Sequence, residues 1–227
     1  MRLGVFAAGI LTVLLLVTAH SASGQVVVDR TIATVSDGAR TELITRSDLL
    51  WQLAIKKGVP LDPPREEDLR QALQTQIDQR IFALEAQRLP RAAPTRQEIS
   101  EKIEYVLDKI GSPLELQRRL MAVGFTSVGD ERFESFIGQW VAIDKYLDFR
   151  FRSFVVVTTE DEAVYYRETW VADFRRENPG VNVPSLEEAR GSVNKGVVEQ
   201  RVAANMETFL EEAKRRVQIV IIAEPTR

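Results

Sequence analysis

The sequence predicts a mainly α fold with a small β-sheet, and three observations carry that prediction. Apolar residues recur at helical spacing through most of the chain between residues 45 and 214. Runs rich in Val, Ile and Thr are confined to the two ends, VVVDRTIATVSDGARTELIT (26 to 45) and VQIVII (217 to 222). A two-stranded hairpin alone is marginal in water, so the terminal strand is expected to pair with it in a three-stranded sheet that ties the chain ends together.

Residues 1 to 24, MRLGVFAAGILTVLLLVTAHSASG, join one cation (Arg2), an apolar run from Val5 to Val17, and small residues Ala22 and Gly24. This is the pattern of a secretory signal, and its apolar run is shorter than the roughly 20 residues that span a bilayer. The mature chain is expected to begin near Gln25 and to be soluble outside the cytoplasm. After the signal comes the hairpin, with turn chemistry at Ser36-Asp37-Gly38. Thr45 with Asp48 then forms a capping box, with Ser47 as the alternative cap, for a helix bearing Leu49, Leu50 and Leu53 and ending at Gly58 and Pro60.

Pro63-Pro64 and Glu66-Glu67-Asp68 open a second helix, whose stripe Leu69, Leu73, Ile77, Ile81 and Leu84 closes at Leu89 before Pro90. Its length is about 25 residues, on the order of 37 Å. Thr95 with Glu98 caps a third helix that stops at Gly111, and Pro113 opens a short fourth that ends at Gly124. From about Val128 to Phe151 the apolar positions cover a wide arc, with Ile143 and Tyr146 on a second face. Phe154 to Val157 reads as a short extended piece. Thr159 with Glu162 caps the next helix, Asn178-Pro179-Gly180 breaks it, and Ser185 with Glu188 caps the last. The organisation is a signal over 1 to 24, a helical module over 25 to 157, and helices with a closing strand over 158 to 227 that complete the same module.

Composition narrows the chemistry. With 30 Lys+Arg against 33 Asp+Glu, the net charge of −3 argues against a general phosphate-binding surface, so no nucleic-acid partner is expected. The chain has no cysteine, and its one histidine, His20, lies in the signal. Disulfides, thiol catalysis and the usual transition-metal sites are thereby excluded, and the commonest general base is missing. Acid clusters at Glu66-Glu67-Asp68, Glu160-Asp161-Glu162 and Glu187-Glu188 fall in first helical turns, where carboxylates complement the helix dipole; Glu211-Glu212 is a fourth. The run Gly191 to Gly196 begins like a phosphate loop, but Val197 stands where the lysine belongs, and the run sits inside a helix. No G-x-S-x-G elbow occurs. The expectation is therefore no catalytic residue, no metal and no cofactor.

Aromatic residues carry the functional signal. Eleven of the seventeen lie between Phe133 and Phe174, and Tyr146, Phe149 and Phe151 point in different directions around a helix axis, so one face cannot bury them all. A partly exposed aromatic cleft is expected, with Trp140, Tyr146, Phe149, Tyr165, Tyr166 and Trp170 as the residues that contact apolar segments of other chains.

The hairpin Ile32-Ala33-Thr34-Val35-Ser36-Asp37-Gly38, the following Ile44-Thr45-Arg46-Ser47-Asp48-Leu49, the segment Leu116 to Phe136 with its short helix, glycine and long helix, and the closing EEAKRRVQIVII resemble the N-terminal domain of SurA-type periplasmic chaperones, related to the PpiD and trigger-factor group. The resemblance spans most of the mature chain. It implies a chaperone module closed by a final helix and strand. Two features depart from the family: the hairpin has two extra residues, and the chain passes from Phe154–Val157 into the next helix where relatives commonly carry a parvulin-type prolyl-isomerase domain. The histidines of that isomerase site have no counterpart here.

The resulting expectation is an ATP-independent periplasmic holdase, not an enzyme, whose partners are unfolded or partly folded exported or outer-membrane polypeptides. No stable membrane insertion is expected after signal cleavage, and nothing in the sequence fixes an oligomeric state. The alternatives are an interaction module for one dedicated periplasmic partner, or a prolyl-isomerase-related protein with residual activity.

Overall fold

The computed structural model describes residues 29–88 and 93–225; the signal segment, the start of the hairpin run, and Leu89 with Pro90 lie outside the described residues. Among the described residues the fold is mainly helical with one three-stranded antiparallel sheet. β1 (Thr31–Ser36) and β2 (Thr41–Thr45) form the hairpin. Its turn is held by Asp37, whose carboxylate accepts from the N–H groups of Ala39 and Arg40 (3.0 and 2.8 Å), while Gly38 takes a positive φ of 88°. The register shifts between Thr31 and Ala33, and both neighbours Ile32 and Ala33 are buried, which strict alternation would forbid. β3 (Gln218–Ile221) pairs with β1, so the strand order is β2-β1-β3 and the chain ends meet as expected.

α1 (Arg46–Ala54) starts at a Thr45 and Asp48 capping box and stops four residues before Gly58. Its last carbonyls are taken by Arg119, whose guanidinium donates to the oxygens of Leu53 (2.8 Å) and Ala54 (2.7 Å), and to that of Val59 (2.9 Å) in the loop beyond. α2 (Glu66–Ala86) ends three residues before Leu89, and so is shorter than its apolar pattern suggests. α3 (Arg96–Ile110) has the Thr95 and Glu98 box and Gly111 as a left-handed cap (φ 84°); α4 (Pro113–Ala122) follows from Ser112.

α5 (Glu131–Leu147) does not run on as an α-helix to Phe151: Asp148–Arg152 is a π-helical turn. Phe154 to Val157 is irregular rather than extended. The next cap is Thr158 with Asp161, one residue earlier than expected. That shift leaves Glu162 to face the last helix, where it accepts from Asn194 (2.9 Å) and pairs with Arg190 (3.3 Å). α6 (Thr159–Tyr165), a second π turn (Tyr166–Trp170) and α7 (Val171–Glu177) form one continuous helix. α8 (Leu186–Lys214), capped by Ser185 and Glu188, is 29 residues long, on the order of 43 Å.

Three apolar clusters organise the molecule. Ile32, Val35 and Ile44 of the sheet bury against Leu49 of α1, Ile81 of α2 and Ala213 of α8. α1, α3, α4 and α5 meet around Leu116, Leu120, Phe133 and Ile137. Phe82, Ile143, Tyr146, Phe151 and Val202 join α2, α5 and α8. The N-terminal half of α8 packs instead on α6 and the second π turn, making a two-helix arm whose buried residues are only Glu162, Ala189, Val193 and Val197. No helix among the described residues is long and apolar enough to cross a membrane.

Candidate aromatic binding surfaces

The six aromatics expected to line one cleft fall in four places. Tyr146 is 2 % exposed, inside the cluster between α2, α5 and α8, where burial pushes its phenol above the ordinary pKa. It is a core residue, because the π turn after α5 sets residues five apart on one face and so buries Tyr146 and Phe151 together. Phe149, 40 % exposed, is on the solvent side of that turn, edge to face with Phe154 (5.9 Å), which is more exposed still. Tyr165, Tyr166 and Trp170 belong to the arm, and Trp140 belongs to a groove on the body.

The groove holds about 390 Å³ between α2 and α5. Its apolar wall combines the small side chains Ala83, Ala86 and Ala142 with Phe136, Ile143 and Trp140, and Ala93-Pro94 closes one end. Small residues on both helices leave the hollow, since a larger side chain at Ala83 or Ala142 would fill it. The charges at the rim already have partners. Arg80 pairs with Asp48 (3.2 Å) and donates to the Leu43 oxygen and Gln139; Gln87 links Glu42 to Arg40. Lys145 binds Glu98 (2.7 Å), which holds that carboxyl down to about 2 and fixes the start of α3, and hence Ala93-Pro94, beside α5. The Trp140 indole N–H is buried and is the one such side-chain polar atom without a partner among the described residues. Lys102, paired with Asp144 (2.7 Å), stands over the Trp140 ring at 5.5 Å.

Two further hollows adjoin. One shares Gln79, Trp140 and Ile143 with the groove; the other, between α2, α5 and α8, shares Phe82, Asp144 and Leu147 with the first of these. On the arm, Tyr166, Trp170 and Phe174 stack at i, i+4 spacing with ring centroids 5.5 and 4.9 Å apart, and the Tyr166 hydroxyl donates to the Pro184 oxygen (2.6 Å). None of the three is fully buried. Tyr165 lies over Gly196: a Cβ there would come within 2.5 Å of its ring. Close helix approach is thus the use of a glycine that the phosphate-loop pattern only mimics.

The apolar period gives no sign of the alanine lining, because Ala83 and Ala86 lie beside the Leu69, Leu73, Ile77, Ile81 and Leu84 stripe rather than on it. Among the described residues no three His, Cys, Asp or Glu side chains gather as a metal site. The acid clusters of α2, α6 and α8 sit in first turns. No known protein family, curated protein or solved structure matches this chain.

Proposed function

We propose that this protein is an ATP-independent periplasmic holdase that shields unfolded exported polypeptides, outer-membrane β-barrels among them, and performs no chemistry on them. The observation that carries the reading is the groove at Trp140: a largely apolar hollow whose surrounding charges are paired with one another, so what it offers a ligand is chiefly apolar area, with the Gln79 amide and one indole N–H in its lining. Such a surface suits apolar side chains of varied sequence, with the N–H available to a main-chain carbonyl when the ring moves. The arm's Tyr166, Trp170 and Phe174 ladder and the Phe149 and Phe154 pair supply further apolar contact. Tyr146 has no part in contact, being core. Each aromatic contributes roughly 1 to 2 kcal/mol at about 25 cal/mol per Å² of apolar area, weak enough singly for release.

The test is light scattering of a urea-unfolded outer-membrane β-barrel diluted with and without the protein, with a folded protein of similar charge as control. Suppression near stoichiometric ratio is expected, weakened about tenfold or more by Trp140→Ala combined with Trp170→Ala. Unchanged aggregation in the presence of the folded protein would refute the holdase reading. Equal suppression by the folded double variant would remove these two residues from it.

A further inference from the structure

The two hollows beside the Trp140 groove form one trough along α5, and its charges, unlike those of the groove, do not balance. The larger, about 650 Å³, lies between α8 and α5 with its π turn; the smaller, about 460 Å³, lies between α2, α3 and α5. Phe82, Asp144 and Leu147 line both, so the two meet along one turn of α5. The floor is apolar: Phe82 and Val202 are buried, with Leu147 and Met206 half-buried beside them. Five carboxylates line the walls, those of Asp78, Asp144, Asp148, Glu199 and Glu207. Three cations pair with them. Lys102 binds Asp144 (2.7 Å), Lys214 binds Asp78 (3.3 Å), and Arg152 is divided between Asp148 (2.9 Å) and Glu199 (2.8 Å). Among the described residues no cation pairs with Glu207. Five acids against three cations leave two negative charges in excess among these groups, and the side chains of Asp144, Asp148 and Glu199 are 50 to 65 % exposed.

We propose that this trough takes a cationic apolar segment of a polypeptide client, with aliphatic side chains on the Phe82 and Met206 floor and basic side chains at Glu207 and at the Asp148 and Glu199 end. The proposal rests on the holdase reading for the ligand being a polypeptide, and adds its charge and spacing. Charge complementarity selects the occupant: a Lys or Arg meets carboxylates left short of partners, whereas an anionic segment adds charge to a wall already negative. A long basic side chain satisfies both surfaces at once, its methylenes covering the floor while its head reaches the rim.

The helix sets the spacing. Glu199 and Glu207 are separated by about 12 Å along α8, which an extended chain covers in about four residues. Residues four apart in an extended segment point the same way, so two basic side chains at that separation reach both ends of the larger hollow from one face. A metal ion is not the occupant, because among the described residues no three of these acids gather around one point.

The experiment is fluorescence anisotropy of dye-labelled peptides of about twelve residues titrated with the protein, with circular dichroism to verify the folding of each variant. One probe carries two Lys four positions apart among Leu, Val and Ala. A second has Glu for both Lys, and a third keeps both Lys but has Ser for the apolar residues. The first is expected to bind about tenfold or more tighter than either other, and its lead over the Glu probe to shrink as NaCl is raised to about 0.5 M. Glu207→Lys should erase most of that lead. Glu131→Lys changes the net charge equally at the far end of α5, on the order of 25 Å from Asp148, and should not. Ala203→Trp fills the larger hollow from α8 and should weaken the first probe about tenfold at any salt. Equal affinity for the Lys and Glu probes overturns the inference. So does an equal effect of Glu207→Lys and Glu131→Lys, which assigns the preference to net charge alone, or an Ala203→Trp variant that binds as wild type does. The light-scattering assay keeps the two readings apart: suppressed aggregation with no Lys preference refutes this trough and leaves the holdase standing, and a Lys preference lost in Glu207→Lys without suppression does the reverse.

Discussion

Replacing Arg119 by Met tests how the end of α1 is held. The side chain is almost fully buried and spends its whole fork on three backbone oxygens, those of Leu53, Ala54 and Val59, at 2.7 to 2.9 Å. Its nearest carboxylate, Glu115, is 3.8 Å away, so the guanidinium is held by carbonyls rather than by an ion pair. Burial accordingly pushes its pKa below the ordinary arginine value. Methionine keeps much of the aliphatic volume and removes every donor. Each charge-assisted hydrogen bond contributes about 1.5 kcal/mol or more, and two of the three carbonyls left behind, those of Leu53 and Ala54, are buried, so the expected loss is about 3 to 5 kcal/mol. At a urea dependence of about 2 kcal/mol per M, the unfolding midpoint should fall by about 1.5 to 2.5 M, read by tryptophan fluorescence and far-ultraviolet circular dichroism. Arg119→Lys should fall between, since one ammonium cannot reproduce the planar fork. A midpoint shift below about 0.5 M for Arg119→Met would show that water replaces the guanidinium at no great cost, and would refute the capping argument.

Other outcomes follow from local geometry. Gly191→Ala and Gly196→Ala lie in the same helix, yet a Cβ meets nothing within 4 Å at the first and the Tyr165 ring at 2.5 Å at the second. Calorimetry should show the first variant more stable by roughly 0.5 to 1 kcal/mol and the second less stable with Tyr165 displaced; equal gains would refute the close packing of the arm. Acid should destabilise the fold. The Arg88 guanidinium, with two backbone N–H groups, holds Asp37 down to about 2; Lys145 does so for Glu98; and Arg132 with the Thr126 N–H holds Asp130 lower still. Carboxyls depressed in the folded state stabilise it above their unfolded pKa values of about 4, and that stability is lost as pH falls toward 2. Urea midpoints measured from pH 6 to pH 2 should fall mainly below pH 4.5, and a flat profile there would show that these pairs contribute nothing.

Much of the fold is legible in the chain because its signals are local. The capping boxes at Thr45, Thr95 and Ser185, the Gly111 stop and the Asn178-Pro179-Gly180 break each depend on residues within four positions of one another. The misplaced cap at Thr158 has the same cause: two adjacent threonines, each followed three residues later by an acid, give the same local pattern. The pairing of β3 with β1 is long in range but forced, since an isolated hairpin needs a third strand.

The aromatic site was legible as composition and not as place. Periodicity at 3.6 residues cannot foresee the π turn at Asp148–Arg152, and that turn decides that Tyr146 and Phe151 go inward together while Phe149 stays out. The groove at Trp140 exists because alanines on α2 and α5 face each other across more than fifty residues of sequence. The sequence by itself determined the class of fold, most of the helix caps and the pairing of the last strand with the first, because capping and amphipathic spacing act over a few residues. Only the tertiary structure decided which aromatics are surface and where the hollow lies, because these depend on how separate helices share one interior.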